Sequence, residues 1–291
     1  MRQSIAAGAQ EPAPHHLDPL IDLALAEDVG PGDITTNALP KDGRGGGAEI
    51  VAKEALVVAG LDAARRVFER VDGSIRFVPK CSDGDAVSAG SVVAAAAGSF
   101  ASLLISERIA LNFLQRLSGI ATHVRAYVQA LSGRSVRLVD TRKTIPGWRV
   151  LEKYAVRMGG AANHRMGLYD GILIKDNHIE AFGGIGAAVS ATRQQASHLL
   201  KVEVETSSLE EVEEALEAGA DVIMLDNMSG ADISEAVRSI GGRALVEVSG
   251  QVDRDALVRL ADLGVDIISA GALIHRARFV DLSMRITRNS P

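Results

Sequence analysis

A single cysteine, Cys81, stands in 291 residues. One thiol cannot close a disulfide within the chain, and such sparing use of cysteine points to a reducing, cytoplasmic setting. Long apolar runs are missing too. No stretch is long enough to span a bilayer, and the N-terminal "MRQSIAAGAQEPAPHH" has no apolar centre of the kind a secretory signal carries. Residues 1–16 read as a disordered leader. An excess of positive charge is also lacking: 31 Lys and Arg against 37 Asp and Glu give a net charge of -6. A nucleic-acid footprint needs cations in excess over a whole face, so nucleic acid and membrane are both set aside as partners. What remains, at 47% hydrophobic content, is a globular chain with enough residues for a large core.

Against that acidic background one stretch is basic. "DTRKTIPGWRVLEKYAVRMGGAANHRMG", Asp140 to Gly167, holds Arg142, Lys143, Arg149, Lys153, Arg157, His164 and Arg165. Local cations in an acidic chain suggest a small, highly anionic ligand. Arg142, Lys143 and Lys175 carry this reading best. Each follows or ends a strand expected to be buried, where a long cation is costly unless an anion meets it. Arg149 and Arg157 read as solvated helix side chains. His164 fits a satisfied core histidine as well as a ligand.

The second half has a regular rhythm. "LLKVEVET", "ADVIMLDN", "RALVEVSG" and "VDIISAGA" are short β-branched runs that each end in a polar group, and the steps from Glu205 to Asp226 to Glu247 to Ser269 are 21, 21 and 22 residues. That is one strand plus one helix. "SSLEEVEEALEAG" supplies capping boxes at Ser207 and Ser208, one apolar face and a terminal Gly219; "VDRDALVRLADLG" repeats the plan with Asp253 and Gly264. With "VRLVDT" and "GILIKD" upstream, about six units are expected. Continuously apolar strands alternating with helices mean a parallel sheet, either an incomplete barrel or a doubly wound sheet. In both, chemistry sits at the carboxyl ends of the strands.

The first half mixes strand-like runs with a helix and many Gly and Asp turns, as an antiparallel sheet with a helix on it would. "ASLLISERIALNFLQRLSGIATHVRAYVQAL" follows as a long helical pattern broken near Ser118–Gly119. Placing a boundary there gives an N-terminal domain over 17–118, a barrel over 119–275 and a C-terminal segment, 276–291, that packs back on the first domain.

Glu205 and Asp226 occupy equivalent places in successive units. They suit structural ion pairs, Mg²⁺ or sugar hydroxyls, and spacing does not choose among these. "VEVSGQV" and "IISAGAL" end strands in glycine turns that offer backbone N–H groups and a helix dipole to a phosphate.

These segments resemble the quinolinate phosphoribosyltransferase family. The likeness runs from about Leu20 to Leu282 through "ALAEDVGPGDITT", "SERIALNFLQRLSGIAT", "DTRKTIPGWRVLEKYAVRMGGAANHRMGLYDGILIKDNHI", "EVETSSLEEVEEALEAGADVIMLDNM", "VEVSGQV" and "ISAGALIH". The resemblance implies an N-terminal open α/β sandwich plus an incomplete parallel α/β barrel of the type II phosphoribosyltransferase kind, assembled as a homodimer. It implies a reaction of quinolinate with phosphoribosyl pyrophosphate and Mg²⁺, giving nicotinate mononucleotide, pyrophosphate and CO₂ in de novo NAD biosynthesis.

By the same resemblance, Thr141, Arg142, Lys143, His164, Arg165 and Lys175 surround the quinolinate carboxylates and nearby phosphates. Arg108 is donated from the partner subunit. Glu205 and Asp226 handle ribose hydroxyls and metal, and with Lys143 and Lys175 they form the implied catalytic set. Ser249, Gly250, Gln251, Ser269, Ala270 and Gly271 form the phosphate turns. Three positions depart from the family pattern: Gln251 in "SGQ", Ile145 in "TIPG", and the missing acid after Glu205 in "VETSS". None removes a charge the chemistry requires. Alternatives are a paralogue linked to molybdenum transport, a barrel lyase using Lys175 as a Schiff-base nucleophile, and a sensor that binds phosphate ligands without turnover. "NHRMGL" and "IKDNHI" speak against the first, and the crowd of other cations against the second.

Overall fold

The computed structural model describes residues 10–40, 45–250 and 252–288. In chain order its elements are α1 (Pro14–Asp28), α2 (Ile34–Asn37), β1 (Gly45–Ala52), β2 (Leu56–Val57), α3 (Leu61–Val71), β3 (Arg76–Pro79), β4 (Ala86–Val87), β5 (Val92–Ser99) and α4 (Phe100–Ala130). Next come β6 (Arg137–Val139), α5 (Arg149–Gly159), β7 (Ile172–Ile174), α6 (Asp176–Phe182), α7 (Ile185–Gln195), β8 (Val202–Thr206) and α8 (Leu209–Glu217). The chain ends with β9 (Val222–Asp226), α9 (Gly230–Ile240), β10 (Leu245–Ser249), α10 (Arg254–Ala261), β11 (Ile267–Ser269), α11 (Ala272–His275) and β12 (Leu282–Arg288). They fall into two compact units, one of 1–125, 145–160 and 276–291, the other of 126–144 and 161–275.

The first unit is built on an antiparallel sheet of order β12-β1-β5-β3. The C-terminal strand β12 pairs with β1 from Ala52↔Leu282 to Gly46↔Arg288, so the end of the chain completes the sheet that its beginning starts. Helix α3 buries Ala63, Ala64, Val67 and Phe68, and the Phe68 ring meets Phe77 of β3 at 5.5 Å. Helix α1 seats Leu17 and Ile21 in the core and is tied to α3 by Arg66–Asp18 and Arg70–Asp22 ion pairs. Residues 14–16, expected within a disordered leader, are therefore helical. Pro14 starts α1 at a position where its missing N–H and fixed φ cost nothing, and residues 1–9 lie outside the described part.

Two further expectations are corrected in this unit. Helix α4 runs without interruption through Ser118–Gly119. The glycine there is a contact device: a Cβ on Gly119 would stand 2.0 Å from the Arg278 carbonyl oxygen. The barrel segment expected to be contiguous over 119–275 also gives up α5. Glu152, fully buried, pairs with Arg116 of α4 and accepts the Ile145 N–H, while Tyr154 donates to Asp83 and Arg125 donates to the Gly159 carbonyl. Those bonds anchor α5 to the first unit. Lys153, also fully buried, and Arg149 and Arg157 lie on this helix, so the basic stretch is split between the two units.

The second unit holds a six-stranded parallel sheet of order β6-β11-β10-β9-β8-β7, an unclosed barrel with β6 and β7 as its edges. Four helix starts are fixed by side chains the sequence offers for the purpose: Ser208, Ser229 and Asp253 accept N–H groups of α8, α9 and α10, and the His178 ring accepts the Lys175 N–H at the start of α6. Register places Glu205 and Glu247 beside Met224, and Ser249 beside Asp226. Because side chains alternate along a strand, Glu203, Glu205, Asp226, Glu247 and Ser249 share one face. The other face carries Val204, Ile223, Leu225, Val246, Val248 and Ile268, all buried. Strand alternation thus gathers the strands' acids on one sheet face, together with Val222 and Met224.

Candidate active site

The basic segment is held by an acid. Asp140, with no exposed surface, accepts from Asn163 Nδ2 at 2.6 Å and from the His164 N–H at 2.9 Å, which fastens the Asn-His-Arg turn to the end of β6. Lys143 N–H donates to Thr141 Oγ1 at 3.1 Å, and Arg165 Nη1 donates to the Gly171 carbonyl at 2.9 Å. Burial, and then repulsion from Arg142, pull the Arg165 guanidinium below its ordinary pKa, against the attraction of Glu203 and Asp170. Guanidinium groups are suited to bind carboxylates and phosphates bidentately.

His164 is committed to protein. Its Nδ1 accepts the Arg165 N–H at 2.7 Å, so the ring proton sits on Nε2, 3.3 Å from Glu203 Oε2 and 3.6 Å from Glu247 Oε1. In this arrangement the half-buried His164 ring has a protein neighbour at each nitrogen. Glu203 and Glu247 are the groups that sequence reasoning missed. Glu247 is pushed up to about 7 by burial first and then by the Glu203 carboxylate, with His164 and the neighbouring Ser269 hydroxyl opposing. The signal is present in "VEVET" and "LVEVS": an acid in the middle of a buried strand is as anomalous as a lysine at a strand end.

Lys175 Nζ makes an ion pair with Glu205 Oε2 at the strand ends of β7 and β8. Asp226, ending β9, accepts from Asn227 Nδ2 at 2.7 Å. Each carboxylate therefore has one oxygen engaged by a neighbour.

The two glycine turns are closely packed. A Cβ on Gly271 would lie 2.9 Å from Lys143 Cδ and 3.3 Å from Thr141 Oγ1, so the Lys143 stem passes over this turn. Gly250 has φ +131°, open to glycine alone, and a Cβ there would meet Asn227 Oδ1 at 2.6 Å. The expectation for Ala270 needs correction. Its N–H donates to the Val139 carbonyl at 3.0 Å as part of the sheet, so it is not available to a phosphate. Asp253 likewise occupies the Ala256 N–H at the start of α10, and α11 has only four residues, which leaves little helix dipole for an anion. Gln251 lies outside the described residues. Arg108 belongs to the first unit, exposed on α4, and among the described residues it makes no ion pair.

Thr141, Arg142, Lys143, His164, Arg165, Lys175, Glu205, Asp226, Ser249, Gly250, Ser269 and Gly271 all lie in the second unit, on or beside the carboxyl ends of its strands. Arg108 is the one expected residue placed elsewhere.

An unclosed parallel barrel with cations, acids and glycine turns at its strand ends has the layout of an α/β-barrel enzyme. The chain belongs to the quinolinate phosphoribosyltransferase family: its residues 33–118 match the N-terminal domain of that family and 120–285 the C-terminal domain. A protein of Synechocystis named probable nicotinate-nucleotide pyrophosphorylase (carboxylating) is 49% identical over 276 residues, covering 94% of this chain and 93% of that one. A Bacillus subtilis protein of the same name is 42% identical over 271 residues, covering 93% of each. The crystal structure of NadC from Streptococcus pyogenes superposes with a TM-score of 0.92 at 43% identity, covering 97% of this chain and all of that one.

Proposed function

We propose that this protein transfers the phosphoribosyl group of phosphoribosyl pyrophosphate to quinolinate with loss of CO₂, yielding nicotinate mononucleotide and pyrophosphate in NAD biosynthesis. The observation that carries the reading is the gathering of cations in the second unit: the segment carrying Arg142 and Arg165 is pinned by the buried Asp140, the Lys143 stem passes over the Gly271 turn, and Lys175 stands on Glu205 at the strand ends. Quinolinate brings two adjacent carboxylates and its cosubstrate several phosphate charges. Such charges repel by roughly 4 kcal/mol per pair at 4 Å and an effective dielectric near 20. Fixed cations offset that repulsion, and the anions in turn relieve the repulsion among the cations.

Arg142, Arg165 and Lys143 bind the carboxylates and the nearest phosphate, and Lys175 leaves Glu205 for substrate. The pyridine nitrogen attacks the ribose carbon as pyrophosphate departs through an oxocarbenium-like state, with Glu205 and Asp226 supplying the stabilising negative potential. Once the ring nitrogen is alkylated, its positive charge stabilises the electron pair left on C2 as the 2-carboxylate departs as CO₂, and C2 then takes up a proton from water, so no second cofactor is required. Glu205 and Asp226, few and hard oxygen donors each with one oxygen already engaged, suit Mg²⁺ that keeps most of its shell as water and substrate phosphate; they would hold it and it would neutralise pyrophosphate charge. The Schiff-base alternative needs a free amine, and the Lys175 Nζ is engaged by Glu205. A cytoplasmic homodimer, with Arg108 reaching the neighbour's site, completes the reading.

The test is an assay of quinolinate, phosphoribosyl pyrophosphate and Mg²⁺ scored for CO₂ and nicotinate mononucleotide. Nicotinate, which lacks the 2-carboxylate, should be rejected by roughly 10⁴-fold in kcat/KM, because it leaves cations of the site unpaired. Comparable turnover of both acids refutes the assignment.

A further inference from the structure

Asn227 is the one non-glycine residue with positive φ among those described, at +53°. The left-handed region is disfavoured for any residue with a Cβ, and Asn is among the few that tolerate it. Its side chain is exposed, so no core packing holds it in that conformation. Three contacts do. Nδ2 donates to Asp226 Oδ2 at 2.7 Å, the N–H donates to the Ser249 carbonyl at 3.4 Å, and Oδ1 fills the space over Gly250 that a Cβ would need. Register sets Asp226 beside Ser249, so Asn227 joins the strand end that carries the acid to the strand end that carries the glycine turn.

The structure assigns Asn227 as a positioning residue: its amide aims the Asp226 carboxylate and fixes the Gly250 turn, so that the acid and the phosphate turn are presented to the phosphoribosyl substrate as one surface. The amide donates to one carboxylate oxygen of Asp226 and thereby turns the other. Its oxygen, lying against Gly250, holds a turn whose own φ of +131° only glycine adopts readily. Neither contact touches the cations assigned to quinolinate, which lie on other strands. The effect should therefore fall on one substrate and spare the other. This inference rests on the phosphoribosyltransferase reading above.

Three variants separate amide from backbone. Asn227→Gly keeps the left-handed backbone at no steric cost and deletes the amide. Asn227→Asp keeps the shape and replaces the donor with an acceptor facing Asp226. Asn227→Ala deletes the amide and leaves the conformation unfavourable. Asn227→Gly should melt within about 3 °C of the parent. Its KM for phosphoribosyl pyrophosphate should rise at least about tenfold, the size expected for losing a hydrogen bond to a charged group. Its KM for quinolinate should change by less than about twofold on the same scale. Asn227→Asp should show the same split or a larger one, and Asn227→Ala the split together with a lower melting temperature. If Asn227→Gly and Asn227→Asp keep the parental KM for phosphoribosyl pyrophosphate, the residue serves only the turn and the inference is overturned. A rise in both KM values alike overturns it too, since that reports general damage to the site. A parent protein that does not turn over quinolinate and phosphoribosyl pyrophosphate refutes the reading on which the inference rests, and takes the inference with it.

Discussion

Lys175 carries its charge into an ion pair whose lysine side chain is 43% exposed. Pairs of that exposure contribute about 0–1 kcal/mol to stability. Lys175→Ala should therefore melt within about 3 °C of the parent while losing most turnover, read by calorimetry and by CO₂ release. A variant that is unfolded, or fully active, contradicts the role given to this side chain. Glu247 allows a test of sign. Its folded-state pKa near 7 stands above the ordinary 4.5, because burial and Glu203 disfavour its charge. Between those values the folded state binds more protons than the unfolded state, so stability falls as pH rises through that window and the loss is complete above about 7. Glu247→Gln removes the titration. The stability lost between pH 5 and pH 8, measured by urea denaturation, should be smaller in the variant than in the parent by on the order of 2 kcal/mol. An equal loss in both would mean that Glu247 is ionised throughout.

At the scale of elements, α4 and the six parallel strands show what a sequence discloses and what it withholds. Gly119 in the middle of α4 meets a backbone carbonyl, so Gly119→Ala cannot be absorbed by rotating a side chain. It should destabilise by about 3 kcal/mol or more, read from the urea midpoint. The control is Gly186→Ala in α7, where nothing lies within 4 Å and helix propensity improves, so stability should hold or rise by about 0.5–1 kcal/mol. The same glycine explains why a helix break was expected at Ser118–Gly119: local propensity counts against glycine, and a distant carbonyl at Arg278 overrules it. The strands were legible because a repeat of 21 to 22 residues is a physical length, one buried strand and its covering helix. Strand-end residues were legible for the same reason. What stayed hidden depended on pairs brought together by folding. Glu203 and Glu247 come from different strands, and only register sets them around His164. Asp140 could be read as a strand end but not as the acceptor that pins Asn163 and His164. Ala270 sits in a phosphate-like motif, yet its N–H is spent on Val139, which no motif reports.

At the scale of the whole molecule, the cation to account for is Arg108. It is exposed on α4, free of any ion pair among the described residues, and remote in sequence from every strand end that carries the chemistry. An arginine left so in one chain is available to another. If it completes the neighbour's site in a two-fold dimer, Arg108→Ala and Lys175→Ala homodimers should each be nearly inactive. In a mixed dimer the barrel that keeps Lys175 faces the subunit that keeps Arg108, so one site is whole and the other carries both lesions. Equal amounts mixed at random give half the dimers mixed, and recovery approaches roughly one quarter of parental activity for a closed two-fold assembly. The measurement is CO₂ release after co-refolding the two variants, with each variant refolded alone as the baseline. Should Arg108 act within its own chain, every site in the mixture would lack one cation and the rate would stay at that baseline. An intact Arg108→Ala homodimer would instead show that the arginine serves neither site.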